Sequence, residues 1–300
     1  MKTLTVGIPA YNEEANIAYL LEDLLQQKKD GFILERIIVS SDASTDNTDP
    51  IVRTFSDRGI DLISSKKREG NAQRQNQIFE VSTSDIVVIL NADVLLADEN
   101  FLKKLITPLL NDAADLTSSS YKTIGNKNFF STLLETSVQI KHFIYSALKN
   151  GNNIYNCYGV SRAFSKRMYS MLRFTSSIGE DAFSYLFCIQ HKMKFIYVPE
   201  TFVFIKVPDN LSDHQKQSLR FIQSKKLLEK EFGTKETQRE YMLPIGLLLR
   251  SVSIYFIRQP LHVLLYVCIF LSMLVKSFFT KNMKNTWDIA KSSKQLKVHA

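Results

Sequence analysis

Cysteine is scarce in this chain of 300 residues, and its three cysteines lie far apart at positions 157, 188 and 268. No CxxC pair occurs, which argues against a structural zinc site and against a disulfide framework. A chain of this length can bury a large apolar core without either device. Low-complexity, coiled-coil and repeated segments are also missing, so the composition is that of an ordinary globular protein.

Glycine-rich phosphate loops are missing as well. No GxGxxG follows the first apolar run, residues 4–9, and no GxxxxGK[ST] occurs anywhere in the chain. These absences disfavour a dinucleotide-binding fold, exclude a P-loop enzyme and make a nucleotidyltransferase a weak candidate. Any phosphate must be held in another way, by a divalent ion on Asp93 and by basic side chains.

The amino terminus, MKTLTVGIPAYNEE, lacks the apolar core of a signal peptide, so we expect the bulk of the chain in the cytosol. The net charge of +8 is unevenly placed, because residues 241–300 contain eight Lys or Arg and one acid. Residues 1–240 are therefore nearly neutral. The aromatic segment 129–145 lacks the basic interleaving of a nucleic-acid platform, and no nucleic-acid partner is expected.

Short apolar runs alternate with helical patterns over the first 121 residues. This alternation predicts an α/β fold with a mostly parallel central sheet flanked by helices. The run at 86–90 is wholly apolar, which predicts a central strand. Asn12, and then Ser44 or Thr45, are the expected helix N-caps. The predicted strands are 4–9, 36–40, 60–64, 86–90 and 116–121, and the predicted helices are 12–27, 45–58, 71–81 and 98–110.

Polar side chains follow each of the first four predicted strands. The carboxyl ends of parallel strands meet at one rim, and α/β sheets bind ligands in that crevice. One such residue could arise by chance, whereas polar residues at the same position after four strands indicate a binding site. In strand order the residues are Tyr11 and Glu13, then Asp42, then Arg68, then Asn91 and Asp93.

Four motifs carry a family resemblance: PAYNEE at 9–14, SDASTD at 41–46, NAD at 91–93 and GED at 179–181. In this order and spacing they resemble an inverting family-two glycosyltransferase of the GT-A fold, over about residues 3–230. The resemblance implies transfer of a sugar from a nucleotide-sugar donor, in most members a UDP-sugar, to a hydroxyl of a glycan or lipid-linked acceptor. It places the enzyme in polysaccharide or glycoconjugate biosynthesis.

The resemblance also assigns donor-side roles. Asp42 matches the acid that reads the edge of the nucleotide base, and Arg68 matches a basic position near the donor. Two plainer interpretations stay open, in which Asp42 caps a helix and Arg68 is the solvated end of the basic run 66–68. The loop that holds the base and ribose is matched by Pro9, Tyr11 and Glu13.

The NAD motif matches the family's Asp-x-Asp, which holds a divalent metal on the donor diphosphate. Asn91 replaces the first acid, and Asp93 remains as the expected ligand of Mg²⁺ or Mn²⁺, ions that prefer oxygen donors. The asparagine leaves two alternatives open. Asp93 could be a turn residue, or the chain could be a non-catalytic subunit that binds a nucleotide sugar.

The GED motif matches the acceptor-side acids, with Asp181 as the general base and Glu180 beside the acceptor. Such a base takes the proton of the attacking hydroxyl while the sugar inverts in a single displacement. A second enzymatic alternative is transfer to polyprenyl phosphate. That acceptor is already an anion and depends less on a base.

The segment QSLRF at 217–221 resembles the Gln-x-x-Arg-Trp motif of the family's membrane synthases. There, Gln217 and Arg220 would lie near the diphosphate and the acceptor. Phe221 replaces the tryptophan, which puts processive polymerisation in doubt, although its ring could still stack on a sugar. The alternative is an ordinary amphipathic helix over residues 213–231.

Apolar residues dominate the carboxyl-terminal region. We predict a catalytic domain at 1–240 and a membrane-associating helical segment with a basic tail at 241–300, on the cytoplasmic face of the membrane. The run 243–257 is short for a span and 261–279 nearly qualifies. Three arrangements stay open: a helical hairpin in the membrane, one interfacial helix followed by one span, and core helices of a soluble dimer.

Overall fold

The computed structural model describes residues 1–124, 128–175 and 179–279. Its strands are β1 Lys2–Ala10, β2 Phe32–Ser41, β3 Ile60–Ser64, β4 Ile86–Leu90, β5 Leu95–Leu96, β6 Leu116–Ile124, β7 Ser161–Ser165 and β8 Phe195–Lys206. Its α-helices are α1 Ile17–Leu25, α2 Thr48–Arg53, α3 Asn71–Val81, α4 Phe101–Leu110, α5 Phe129–Ala147, α6 Lys166–Tyr169, α7 Glu180–Gln190, α8 Leu211–Phe232, α9 Thr234–Glu240, α10 Ile245–Arg258 and α11 Pro260–Phe279.

The described strands form one sheet in the order β3-β2-β1-β4-β7-β6-β8-β5. The four strands β3, β2, β1 and β4 are parallel to one another. Beyond them the sheet is mixed, because β7 runs antiparallel to β4 and β6, β8 is parallel to β6, and β5 is antiparallel to β8. The predicted α/β fold is confirmed, with a parallel half and a mixed half.

Strand β4 is wholly apolar because both faces of the sheet are covered at this strand. Ile86, Val88 and Leu90 belong to the apolar cluster that packs with α1 and α4 on one face of the sheet. Val87 and Ile89 belong to the cluster that packs with α3 and α7 on the other face. Successive side chains of a strand point to opposite faces, so a strand covered on both sides has no position for a polar residue.

The first two helices begin later than predicted. Helix α1 begins at Ile17, and Asn12 does not cap it, because Asn12 has a φ of 53° and accepts a hydrogen bond from the backbone N–H of Thr45. The second helix ends at Arg53 and is followed by a 3₁₀ turn, Ser56–Arg58. Neither predicted hydroxyl caps it. Polar side chains of the two loops bond to each other instead.

The carboxyl-terminal helices pack on the catalytic part. α10 and α11 contact each other and α5, and α11 also contacts α8. A small apolar cluster of Ile140, Ile144 and Val263 lies between them. The stretches Thr234–Arg258 and Pro260–Ser277 are long and apolar enough to cross a membrane by length and composition alone. The predicted basic tail at 281–297 lies outside the described residues.

The predicted division at residue 240 falls in a packed region. Glu240 and Tyr241 are both buried. The hydroxyl of Tyr185 donates to Glu240 at 2.8 Å, and the ammonium of Lys149 lies 2.5 Å from the same carboxylate. The segments on either side of this position are therefore in contact, and their separation into two domains stays a prediction.

Candidate active site

The loops that follow β1 and β2 are joined by side-chain hydrogen bonds. The Asn12 side chain accepts from the backbone N–H of Thr45 at 2.8 Å. The Glu14 carboxylate accepts from both the backbone and the side chain of Asn47 at 2.9 Å. These motif residues therefore brace the rim. These hydrogen bonds explain why Asn12 and Glu14, for which we predicted no ligand, are polar.

Glu13 is buried at the start of the same loop. Its backbone N–H donates to the Thr48 hydroxyl at 2.7 Å, and its carboxylate accepts from the side chain of Asn16 at 3.1 Å. Pro9 lies just before it at the end of β1, paired in register with Ser40 of β2. The structure thus places both residues at the predicted rim.

Asp42 fastens the loop after β3 to the end of β2. Its two carboxylate oxygens accept from the backbone N–H groups of Glu69 and Gly70, each at 2.8 Å. The guanidinium Nε of Arg74 lies 3.4 Å from the same carboxylate. Asp42 is buried, and its oxygens bond to the two residues directly before α3 rather than to the start of α2, the helix that follows Asp42 in the chain. The alternative of a helix cap does not describe it.

Tyr11 and Arg68 lie against each other. The guanidinium carbon of Arg68 is 3.9 Å from the centre of the Tyr11 ring, a cation–π arrangement. Arg68 is therefore more than the solvated end of a basic run. The guanidinium lies over one face of the Tyr11 ring, and the outer face of such a stacked pair is a surface on which a flat base can stack.

A cavity of about 270 Å³ opens beyond the end of β4. It brings together three predicted residues from distant parts of the chain, Asn91, Asp93 and Gln217. Helix α5 adds Lys141, and α8 adds His214 from the same helix as Gln217. Segments that are distant in sequence thus share one wall.

His214 carries a buried polar atom with no assigned function. Its Nε2 has no hydrogen-bond partner among the described residues. Burial, with a smaller effect from Lys141, lowers the pKa of His214 to about 4. The imidazole is therefore neutral near pH 7 and its unprotonated nitrogen can act as a ligand.

These residues can hold part of a metal's coordination shell. A carboxylate, an amide oxygen and a neutral imidazole are donors compatible with Mg²⁺ or Mn²⁺. Within the described ranges, no group of three or more His, Cys, Asp and Glu side chains could hold a metal ion by itself. Asp93 and His214 could therefore supply only part of the shell, with a bound diphosphate and water as the remaining ligands.

Arg220 lies in electrostatic range of two of the predicted motifs, the one at 91–93 and the one at 179–181. Burial lowers the pKa of its guanidinium, and the carboxylates of Glu180 and Asp93 oppose that effect. Both acids therefore lie within electrostatic range of one half-buried cation. Arg220 is three residues beyond Gln217, which places the two on one face of α8.

The acidic motif opens α7. Glu180 is buried, and one of its oxygens, Oε1, has no partner in the described part of the chain. Burial raises the pKa of Glu180 to about 7, with a contribution from Asp181. The half-buried Asp181 accepts from the N–H of Ala182 at 2.7 Å and passes close to Gly159.

Gly179 holds the acidic motif against α8. Its φ is +79°, a backbone conformation that favours glycine. A Cβ at this position would lie 2.8 Å from Cβ of Ser224, one turn beyond Arg220. The motif at 179–181 and the helix that carries Gln217 and Arg220 are therefore in direct contact.

Phe221 does not line the cavity described above. Its side chain is 52% exposed, and its ring centre lies 6.1 Å from that of Tyr241. The prediction that it stacks on a sugar stays a prediction.

Arg162 is a central residue that the sequence did not reveal. It is 1% exposed and lies in β7. Its guanidinium donates to the carbonyl of Glu180 at 2.8 Å, to the hydroxyl of Ser184 at 2.5 Å and to the side chain of Gln75 at 2.8 Å. It thereby fixes the start of α7. Nothing in a local pattern distinguishes a buried arginine from an exposed one.

Comparison with known proteins assigns the fold and motifs to a family. Residues 5–172 match the sequence profile described as Glycosyl transferase family 2. The chain belongs to this family. The assignment made from the four motifs is therefore confirmed, and with it the class of enzyme, a glycosyltransferase.

One curated relative in the family is the 4,4'-diaponeurosporenoate glycosyltransferase of Staphylococcus aureus. It is 29% identical over 132 residues, which cover 43% of this chain and 31% of that protein. The match therefore spans less than a third of the relative's length. It supports the family and leaves the acceptor to be established for this chain.

Two solved structures show the same fold over most of the chain. The Pyrobaculum calidifontis mannosyltransferase, solved with GDP-Man and Mn²⁺, has a TM-score of 0.59 at 17% identity and covers 93% of this chain and 76% of its own. Glucosyl-3-phosphoglycerate synthase of Mycobacterium tuberculosis, solved with Mn²⁺, UDP and phosphoglyceric acid, has a TM-score of 0.57 at 20% identity. It covers 76% of this chain and 78% of its own.

Proposed function

We propose that this family-two glycosyltransferase moves a sugar from a nucleotide-sugar donor, in the first instance a UDP-sugar, to a hydroxyl of a glycan or lipid-linked acceptor, with inversion. One observation carries the proposal. Helix α8 contacts both motifs, because its Gln217 lines the cavity together with Asp93 and its Ser224 lies against Gly179 at the start of the acidic motif. The two motifs are thus close enough to serve one reaction centre.

The donor would lie along the rim of the parallel strands. Its base would stack at Tyr11 and Arg68, with Asp42 and the loop it fastens at the base edge. Pro9 and Glu13 would border the ribose. In this arrangement the diphosphate reaches the cavity lined by Asn91 and Asp93.

A divalent ion, Mg²⁺ or Mn²⁺, would be held on Asp93, with the neutral His214 and the amide of Asn91 close by. When bound, such an ion offsets the negative charge that develops on the leaving diphosphate. Arg220 and Lys141 add positive charge to the same region from the protein itself. The Mn²⁺ in the complexes of both structural neighbours supports this ion for the present chain.

The acceptor hydroxyl would lose its proton to Asp181. This carboxylate is half-buried at the first turn of α7, and one of its oxygens already accepts from the backbone. The second oxygen is available to take a proton from an attacking hydroxyl. Attack on the face opposite the diphosphate inverts the anomeric carbon. Glu180 would shape the acceptor side without itself taking the proton.

Nucleotide binding is the first test. Thermal shifts of the full chain would be measured with UDP, GDP, CDP and dTDP, each with and without Mn²⁺. A ligand at one hundred times its dissociation constant stabilises a protein by about 2.7 kcal/mol. The proposal expects a metal-dependent shift with UDP. A flat response to all four nucleotides from folded protein would contradict it, whereas a shift without any transfer of sugar would favour the non-catalytic subunit.

Two substitutions separate binding from chemistry. Asp93→Ala should abolish the metal-dependent thermal shift, because it removes the expected carboxylate ligand. Asp181→Asn should keep the shift and reduce turnover with a hydroxyl acceptor by about a hundredfold or more, the range for a general base. Asp112→Asn, at an exposed turn, is the matched control. Parental turnover by the Asp181 variant would refute its assignment as the base.

We further propose that the enzyme works on the cytoplasmic face of a membrane, with 1–240 as the catalytic domain and 241–300 as the attached segment. The two apolar helical stretches and the excess of Lys and Arg after residue 240 support this location. Deletion of residues 241–300 should release the protein from membranes. Retention of the truncated chain on membranes would contradict attachment through this segment.

A further inference from the structure

Both ends of α11 are fastened to the catalytic part of the chain. At the beginning, the Thr136 hydroxyl of α5 donates to the side chain of Gln259 at 2.6 Å and lies 3.3 Å from Nδ1 of His262. Near the end, the ammonium of Lys276 donates to the side chain of Gln215 of α8 at 3.0 Å. The helix therefore runs across the surface of the domain.

This geometry is incompatible with a helix that crosses a bilayer. The residues from Gln259 to Lys276 extend about 25 Å at the rise of an α-helix. A crossing helix has its two ends on opposite sides of a hydrocarbon core of about 30 Å. One soluble domain cannot bind both ends in that case. The stretch Thr234–Arg258 is long enough by residue count, but it is interrupted at residues 241–244, between α9 and α10. Helix α10 by itself, with 14 residues, is about 21 Å long and too short to cross.

The outward face of these helices is apolar. On α11, exposed apolar side chains at intervals of three or four residues form a stripe along the helix, and the exposed Val267 and Phe270 widen it. α10 continues the surface with exposed apolar residues that include Leu249 and Ile257. The α11 stripe consists of Leu261, Leu264, Cys268, Leu271 and Val275.

The charged residues near the apolar stripe indicate what kind of surface it binds. Arg250 and Arg258 are exposed on α10, and the sequence has no acid from residue 241 to residue 279. Arginine can keep its charge in water while its stem covers apolar surface. An apolar face on helices whose own charged side chains, in residues 241–279, are all cations fits the surface of an anionic bilayer, where acyl chains lie beneath negative headgroups.

We infer that α10 and α11 lie flat in the interface of an anionic phospholipid bilayer and that neither of them crosses it. The inference sharpens the membrane attachment proposed above and rests on it. Helix α5 supports α10 and α11 and also lines the donor cavity with Leu134, Ser137, Val138 and Lys141. Helix α5 therefore lies between the cavity and the two helices in the interface, a distance of about one helix diameter, roughly 10 Å. This short distance suits an acceptor whose reactive end lies at the membrane surface.

Vesicle binding tests the partner. The full chain would be floated with vesicles of phosphatidylcholine alone or with added phosphatidylglycerol, and the anionic vesicles should bind more. The double variant L264D/L271D should bind about a hundredfold more weakly, because each leucine withdrawn from the interface removes about tenfold. Ile33→Asp, at an exposed apolar position on β2, is the control and should bind like the parent.

Probe depth tests the orientation without disrupting the apolar face. Cys157 and Cys188 are buried and Cys268 is exposed, so a maleimide fluorophore can label position 268 selectively. In a C268S background, Leu261→Cys and Val275→Cys place the same probe at positions about 21 Å apart along the helix. Nitroxides at shallow and deep positions on the lipids then report the depth of each probe.

The three probes should report one shallow depth. Depths at positions 261 and 275 that differ by about 20 Å would show a crossing helix and overturn the inference. If the chain did not bind vesicles and formed a dimer in solution, the inference would be overturned, because the apolar surface of α10 and α11 would then be covered by a second copy of the chain. Neither measurement uses a donor sugar, so failure here would leave the proposed transfer reaction standing.

Discussion

The two halves of the sheet position their functional groups in different ways. In the parallel half, β3-β2-β1-β4, the candidate donor residues lie in the loops directly after each strand, and register alone brings them to one rim. In the mixed half, the acceptor-side residues sit on α7 and α8, and contacts between distant segments bring them together. A site built by register can be predicted from local patterns, whereas one built by packing cannot.

The buried acids of the two halves also differ in how fully their carboxylate oxygens are hydrogen-bonded. Asp42, in the parallel half, is matched by two backbone N–H groups and by Arg74. Glu180, in the mixed half, retains an oxygen without a partner within the described ranges. Buried charge without full compensation costs stability, and such groups gather at functional sites.

The largest expected effect comes from Arg162, on which the acceptor side depends. Arg162→Met removes the donor to the Ser184 hydroxyl and to the Gln75 side chain and leaves the Glu180 carbonyl with only the Ser184 hydroxyl, so we expect a loss of about 3–5 kcal/mol in the free energy of unfolding. Urea titration of the full chain in mild detergent measures it. Arg167→Met, at an exposed position, is the control. A loss no larger than that of the control would mean that this buried cluster does not hold α7.

Glu180 should make stability depend on pH. Its pKa is about 7 in the folded protein against 4.5 when exposed, so the folded state binds the proton more tightly. Stability is then fully present below pH 4.5 and falls as the pH rises through 7, by about 3 kcal/mol in all. Glu180→Gln should remove that fall and be the more stable protein at pH 8.

Unfolding titrations at pH 4, 6 and 8 would measure the effect at Glu180. Glu80→Gln, at an exposed position, is the control and should keep the parental profile. A parent whose stability is the same at pH 6 and pH 8 would show that Glu180 is well compensated in its ionised form. The contrast between the two halves would then disappear.

Gly179 offers a matched pair with Gly59. Both have a φ near +80°, but a Cβ at 179 would meet Ser224 at 2.8 Å, whereas a Cβ at 59 would meet nothing within 4 Å. Gly59→Ala should cost about 1 kcal/mol from backbone conformation alone. Gly179→Ala should cost about 2–4 kcal/mol, since the overpacked contact adds to that cost. Equal losses in urea would show that the contact between the acidic motif and α8 is loose.

The smallest effect is expected at the rim of the parallel half. Arg68→Ala removes the cation–π contact with Tyr11, which at a half-exposed position contributes about 0.5–1 kcal/mol. Lys67→Ala, at the exposed neighbour, should change the free energy of unfolding less. If the two variants lost the same stability, the stacking of Arg68 on Tyr11 would contribute nothing beyond the basic run.

Local sequence patterns suffice to locate much of the parallel half. The bounds of β3, α3 and β4 are those predicted, because the alternation of apolar and polar residues reports which side of a strand or helix is covered. The predicted helix starts after β1 and β2 were wrong. There, Asn12 and Glu14 bond across to the neighbouring loop, and a local cap signal cannot reveal a partner in a distant segment of the chain.

By itself the sequence determined the α/β class and the family and predicted which polar residues follow the parallel strands, since each follows from short-range periodicity or from ordered motifs. Only the tertiary structure brought Lys141 and His214 to the cavity of Asp93, buried Arg162 beneath Glu180, and bound both ends of α11 to one domain. The physical reason is separation along the chain. Packing and hydrogen bonds between segments that are distant in sequence depend on the folded geometry, which no window of sequence contains.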